Sequence, residues 1–339
     1  MPQEASVVTR RDGRAGRILL NRPQALNALD LAMIRVLTRA LSEWHDDPHI
    51  HLVVIEGAGD RAFCAGGDIR ALRDAQLGGN RPAADAFFSE EYALNRMIAT
   101  YPKPYVALID GICMGGGIGV SVHAPYRVAT EHAMFAMPET AIGFFPDIGA
   151  TFFLPRLPGR IGCYLGLSGA RMQGADAVHA GLATHFCPRA QLAGLSQALA
   201  ADGAGALAEF AAPLPAFSLA AERAALDQCF GADTVPEILT RLAAEDTAWA
   251  KRTLEMLRGV SPSALCWTLK ALQRGGDQTL PQALDDEFAL THTTMAHPDF
   301  AEGVRAMVVD KDRRPRWQPA QIEEVDPAAI VAMFEYRPA

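Results

Sequence analysis

No run of roughly 18 apolar residues, the length a helix needs to cross a bilayer, occurs in this sequence of 339 residues, so no membrane span is expected. Paired cysteines are missing too. The six cysteines, at positions 64, 113, 163, 187, 229 and 266, stand singly and several lie in apolar runs. That excludes a CxxC metal or redox centre and reads as buried thiols in a reducing compartment. The opening residues, MPQEASVVTRRDGRAGRILL, hold no apolar signal region, which sets the expectation of a soluble cytoplasmic protein. Positive charge is short: 31 Lys and Arg against 39 Asp and Glu leave a net charge of −8. A general nucleic-acid binder carries a basic surface, so none is expected, although a local basic cluster for an anionic ligand stays compatible. There is no GxSxG elbow, since Gly166-Leu167-Ser168-Gly169 has the wrong spacing, and this argues against a serine hydrolase. His45, His49 and His51 lie in a polar turn, HDDPHIH, without a three-ligand face, so no metal site is expected. Gly57-x-Gly59-x-x-Ala62 follows a strand-like run, but further glycines interrupt where a dinucleotide fold needs a long helix.

What is present is a large core: 50% of the residues are hydrophobic, enough for one large or two ordinary domains. Residues 7–9 and 18–20 flank a polar turn and predict a hairpin. Asp30 is a good N-cap for a helix over 31–44, where apolar side chains recur at Met33, Ile34, Leu37 and Leu41. Buried strands are expected at 51–56, 105–109, 126–129 and 181–187, and an Ala-rich helix over 82–100. From about Gln191 alanine and leucine dominate, with breaks at Pro213–215, 233–236, 261–262 and 275–276, which predicts four to six helices. Strands with helices first and helices last indicate an α/β core, residues 1–205, followed by a helical C-terminal region, residues 206–339.

Residues 103–156 carry most of the chemistry. After the apolar run at 105–109, Asp110-Gly111 turns the chain and Gly115, Gly116 and Gly117 open a helical segment. Glycines there let a backbone approach a ligand, and a helix start offers unpaired N–H groups that stabilise an oxyanion. Gly66 and Gly67, before Asp68, offer a second donor of the same kind. Downstream, Glu139 and Asp147 sit among Met, Phe, Ile and Pro, surroundings that raise a carboxyl pKa toward neutrality and suit general acid–base work. Each feature also has a plain structural reading. The triple glycine serves tight strand-on-helix packing, Glu139 a helix start after proline, Asp147 an ordinary N-cap. Glu90-Glu91 before Tyr92 reads as a solvated helix face. Together, donors beside apolar-flanked acids point to acyl chemistry.

Four segments, NRPQALNALD, FCAGGDIRAL, KPYVALIDGICMGGGIGVSVH and FAMPETAIGFFPDIGATFFLPRL, resemble the enoyl-CoA hydratase/isomerase (crotonase) superfamily. Within it they most resemble the 3-hydroxyisobutyryl-CoA hydrolase branch, as does DDEFALTHTTMAHPDFAEGVRAMVVDKDRRPRWQPA, where His297-Pro298 varies slightly. The resemblance implies a crotonase-like spiral of ββα units, then helices that trimerise or cover the active site. It implies that an acyl-CoA thioester carbonyl sits between the N–H groups of Gly67 and Gly116. By the same resemblance Glu139 and Asp147 are catalytic, and Glu91, Gly66, Asp68 and Ile69 contact substrate. One departure is informative. Where the hydratases place a catalytic glutamate two residues after the triple glycine this chain has Gly119, and where they usually carry glycine it has Asp147.

The expectation is therefore hydrolysis of a short β-hydroxyacyl-CoA, 3-hydroxyisobutyryl-CoA of valine breakdown first. The acyl-CoA is the partner, CoA is part of the substrate, no separate cofactor is expected, and self-association into a homo-oligomer is within the family's range. The alternatives are a hydratase or isomerase acting on another acyl-CoA, and a catalytically silent binding protein that keeps the fold.

Overall fold

The computed structural model describes residues 5–336. Its elements begin with β1 (Val7–Asp12), β2 (Ala15–Leu20), α1 (Leu31–His45), β3 (Leu52–Gly57), β4 (Ala62–Cys64), α2 (Ile69–Leu77) and α3 (Arg81–Ala99). Then come β5 (Tyr105–Ile109), β6 (Ile112–Met114), α4 (Gly116–Val122), β7 (Tyr126–Ala129), β8 (Met134–Ala136), α5 (Ala150–Phe153) and α6 (Ile161–Ser168). The last strands are β9 (Met172–Gln173) and β10 (His185–Phe186), with α7 (Ala175–His179) between them. Helices follow: α8 (Arg189–Asp202), α9 (Leu207–Phe210), α10 (Arg223–Cys229), α11 (Val235–Ala244) and α12 (Ala248–Gly259). The series ends with α13 (Pro262–Gly275), α14 (Leu280–Ala296), α15 (Pro298–Val304) and α16 (Pro327–Met333). By contact the chain forms two compact units that interleave along it. One comprises the residues up to Asp68, Ser89–Ala136 and Arg171–Phe217; the other comprises Ile69–Phe88, Met137–Ala170 and the residues from Ser218 on.

The first unit holds both sheets. The larger runs β1-β2-β3-β5-β7-β10, parallel apart from the β1–β2 hairpin. The smaller runs β4-β6-β8-β9, with β9 antiparallel. Each turn of the chain lays one strand in the large sheet and the next in the small one (β3 then β4, β5 then β6, β7 then β8), which is the expected spiral. Leu52, Val53, Val54 and Ile55 are all fully buried, because a parallel strand covered on both faces needs a continuous apolar run rather than alternation. Leu52, Val54, Val106, Leu108 and Val128 share one face of that sheet with Leu195 and Leu199 of α8. At the head of α1 the Asp30 side chain accepts from Met33 N at 2.9 Å, and Met33, Ile34, Leu37 and Leu41 turn inward as the spacing predicts.

Three expectations differ from what is found. The hairpin strands reach further, pairing Val7 with Leu20 through to Asp12 with Ala15, so only Gly13 and Arg14 are left in the turn. The strand expected over 181–187 shrinks to His185–Phe186. Its first carbonyls are taken instead by the Arg127 guanidinium, which donates to Gly181 O at 3.2 Å and Leu182 O at 2.8 Å. The C-terminal helices number nine from α8 to α16 among the described residues, not four to six. Prolines near the start of α11, α13, α14, α15 and α16 cut the Ala/Leu stretch into short pieces.

The second unit is helical, with an aromatic core. Phe88 stacks on Phe144 at 5.8 Å between ring centres, and Phe144 contacts Phe145 and Phe300. Trp267 donates its indole N–H to Phe144 O at 3.1 Å.

Candidate active site

In the first unit two glycine loops abut. After β4 the chain turns through Gly66, whose φ of +111° is open to few L side chains. Leu29 brackets this loop: its N–H donates to Gly66 O at 2.8 Å, and its carbonyl accepts from Asp68 N at 2.9 Å. After β6, Gly115 takes a φ of +46° and α4 begins. A Cβ on Gly66 would lie 3.4 Å from Met114 O and 3.8 Å from Gly116 N. One on Gly116 would lie 3.4 Å from Gly67 N and 2.5 Å from Glu91 Oε1. The Gly116 N–H belongs to the first turn of α4, where no intrahelical acceptor exists. Gly117 fits the packing role, since a Cβ there would come within 2.2 Å of Cys64 O. Gly116 differs, because a carboxylate oxygen occupies the space beside it.

That carboxylate corrects one reading. Of the pair on α3, Glu90 faces outward and is held bidentate by Arg35 at 2.7 and 2.8 Å, whereas Glu91 is 2% exposed. The solvated-face description fits Glu90 alone. Burial, with a smaller contribution from the Glu91 charge, pushes the nearby Cys64 thiol up to about 12, which leaves it inert as a nucleophile. Asp68 pairs with Arg22 at 3.2 Å, and Ile69, half-buried, opens α2.

The acids Glu139 and Asp147 lie in the second unit, 7% and 6% exposed. Glu139 begins a 3-10 turn, Glu139–Ile142, closed by Gly143 in the left-handed region (φ +66°). The turn is seated backbone to backbone on α15: a Cβ on Gly143 would lie 2.3 Å from Asp299 C and O, and one on Gly303 2.4 Å from Ile142 C. Thr140 Oγ1 donates to Leu167 O at 3.0 Å, and Ser261 N donates to Thr140 O at 3.2 Å. Glu139 Oε2 has no hydrogen-bond partner among the described residues. Burial, and then the charge of Asp147, holds the Glu139 carboxyl well above the usual carboxylate range. Two like charges in a dry setting resist joint ionisation, so the pair is disposed to hold and pass one proton. Asp147 is not the N-cap of α5; that position is Gly149.

Sequence reasoning missed a third buried acid. Glu287 of α14 is 1% exposed and accepts from Gly149 N at 2.6 Å, Thr151 N at 2.9 Å and Thr151 Oγ1 at 2.6 Å. The signal available was a glutamate inside the Ala/Leu face of a helix, in DDEFAL. Among the described residues no group of three or more His, Cys, Asp or Glu is placed to hold a metal ion.

A family model described as enoyl-CoA hydratase/isomerase matches residues 15–334, nearly the whole chain. This protein belongs to the enoyl-CoA hydratase/isomerase family. Relatives named 3-hydroxyisobutyryl-CoA hydrolase, mitochondrial, include one from Xenopus tropicalis, 46% identical over 334 residues (95% of this chain, 86% of the relative). The one from Homo sapiens is 44% identical over 331 residues (94% and 86%). Among solved structures, a carnitinyl-CoA dehydratase from Mycobacterium thermoresistibile superposes with a TM-score of 0.94 at 38% identity, covering 99% of this chain and 97% of that one. An enoyl-CoA hydratase from Rhodobacter sphaeroides 2.4.1 gives 0.92 at 44% identity, covering 97% of each. Gly119 is buried within α4, with no side chain to offer.

Proposed function

We propose that this protein hydrolyses the thioester of 3-hydroxyisobutyryl-CoA, giving 3-hydroxyisobutyrate and CoA, a step of valine breakdown. The observation that carries this is the match, at 43–46% identity over nearly the whole chain, to relatives bearing that enzyme's name. The site chemistry agrees with it. Gly67 and Gly116 supply two N–H groups for the thioester oxygen as charge develops on it. Glu139 removes a proton from the attacking water, or itself attacks the carbonyl and is released by water from the resulting anhydride. Either way the C–S bond breaks, CoA leaves as its thiol after taking up a proton, and the acyl carbon gains a hydroxyl from water. Asp147 orients the water or the substrate hydroxyl and shares the proton. Glu91 binds the hydroxyl end, with Gly66, Asp68 and Ile69 along the same substrate. CoA enters as part of the substrate, and no further cofactor is invoked.

A second reading, hydration of an enoyl-CoA, is favoured by the name of the Rhodobacter sphaeroides structure and opposed by Gly119. One experiment separates them: free-thiol release from 3-hydroxyisobutyryl-CoA, followed beside loss of enoyl absorbance from crotonyl-CoA. Thiol release without hydration is expected; hydration without thiol release overturns the proposal. A cytoplasmic location and self-association belong to the same proposal, tested by cell fractionation and by sedimentation.

A further inference from the structure

The turn that carries Asp147 is strained. Ile148, a buried β-branched residue, takes a φ of +60°, a conformation such side chains rarely adopt, and Gly149 follows at +81°. A backbone of this kind persists only when its surroundings over-determine it. Part of what holds it here is a side chain from a distant helix. Glu287 accepts the Gly149 N–H on one carboxyl oxygen and the Thr151 N–H and hydroxyl on the other, at 2.6, 2.9 and 2.6 Å. The two oxygens thus span the start of α5 and clamp the residues immediately after Asp147. The far side is closed by α13, where a Cβ on Gly275 would stand 1.9 Å from Thr151 O.

We infer that Glu287 is the positioning residue for Asp147: it holds the strained Ile148–Gly149 turn so that the Asp147 carboxyl keeps one place beside Glu139. This rests on the proposed function only in calling the Asp147 site catalytic; the clamp itself is independent of it. Asp147 bears on both neighbours, since its charge raises the Glu139 carboxyl and adds to the burial that pushes Glu287 up to about 8. The other charges bordering Glu287, Arg274 of α13 and Asp286 of α14, pair with each other at 2.8 Å.

The test combines kinetics with amide exchange on the full chain. In E287Q, kcat for thiol release is expected to fall about tenfold or more while KM stays within about threefold, and the double variant D147N/E287Q to be no slower than D147N alone. The Gly149 amide is expected to exchange about tenfold faster, its acceptor having become an amide that cannot serve all three donors. Losses that multiply in the double variant, or unchanged kcat with unchanged Gly149 exchange, overturn the inference. Should E287Q fail to fold, T151V removes one of the three hydrogen bonds and is expected to show the same pattern at smaller amplitude; a T151V enzyme identical to wild type would count against the clamp. If the wild type releases no thiol, the proposed function falls, and faster exchange at Gly149 then decides for the clamp while unchanged exchange decides against it.

Discussion

Glu139 is where the proposed chemistry concentrates, and its setting makes firm predictions. It is buried, one of its oxygens has no partner among the described residues, and a second acid lies near enough to raise its proton affinity. Glu139→Gln keeps the shape and removes the base or nucleophile, so kcat for thiol release should fall by about 10²–10⁴ with acyl-CoA binding retained; turnover near wild type would sink the role. Only ionised Glu139 works in the proposed step. Rate should therefore be lost as pH falls through a pKa above the ordinary carboxylate range, and a pH–kcat profile with its acid limb near 4.5 would contradict that. Gly116→Ala puts a methyl group 2.5 Å from Glu91 Oε1 and 3.4 Å from Gly67 N. Alanine keeps the N–H but the crowding pushes it out of place, and because losing one oxyanion donor outright costs about 10²–10³ in kcat, a fall of up to that size is expected in the same assay. At this scale much was legible. The Gly66–Gly67 and Gly115–Gly117 loops stood out as candidate donors because glycine between strand and helix has few uses, Gly67 and Gly116 within them came from the family resemblance, and Glu139 and Asp147 stood out as candidates because acids among Phe and Pro are rare. Glu287 was not, since one glutamate on a helix looks alike whether it meets water or two backbone amides.

Among the elements, the 3-10 turn carrying Glu139 depends on two glycines far apart in sequence. Gly143 and Gly303 let the turn and α15 touch backbone to backbone, each leaving under 2.5 Å for a Cβ. Gly303→Ala should destabilise the protein by about 1–3 kcal/mol, as overpacking does, and lower kcat, checked by chemical denaturation and thiol release. Stability within about 0.5 kcal/mol of wild type would show that the contact has slack. Period and caps revealed the long elements, such as β3, β5 and α1. The three-residue strands β4, β6 and β8 were invisible because no periodicity exists over three residues. They form because each follows a large-sheet strand after a short turn and finds a parallel neighbour from an adjacent repeat.

Across the molecule, buried acids tie stability to pH. The folded-state pKa of Glu287 is raised from 4.5 to about 8, and that of Glu139 is raised as well. A raised acid holds its proton in the folded state while the unfolded chain has lost it. Its stabilising contribution is therefore complete below about 4.5 and disappears as pH climbs through the folded pKa. Tm should fall between pH 5 and 8.5, and E287Q, lacking one of the titrating groups, should show a shallower fall; parallel profiles would mean that Glu287 ionises freely in the native state.

The sequence by itself determined the family and the spiral of strands with a helical end, and it singled out both glycine loops and two acids as candidates for the site. Those are set by local chemistry: glycine at positive φ, apolar runs of strand length, and acids flanked by apolar residues. Only the tertiary structure decided that Glu91 is buried beside Gly116 while Glu90 faces solvent, that Arg127 consumes the carbonyls of an expected strand, and that Glu287 clamps the turn after Asp147. Each of these pairs groups brought together by the fold across 25 to 138 residues of chain, and no pattern within one segment encodes which partner a buried polar group will meet.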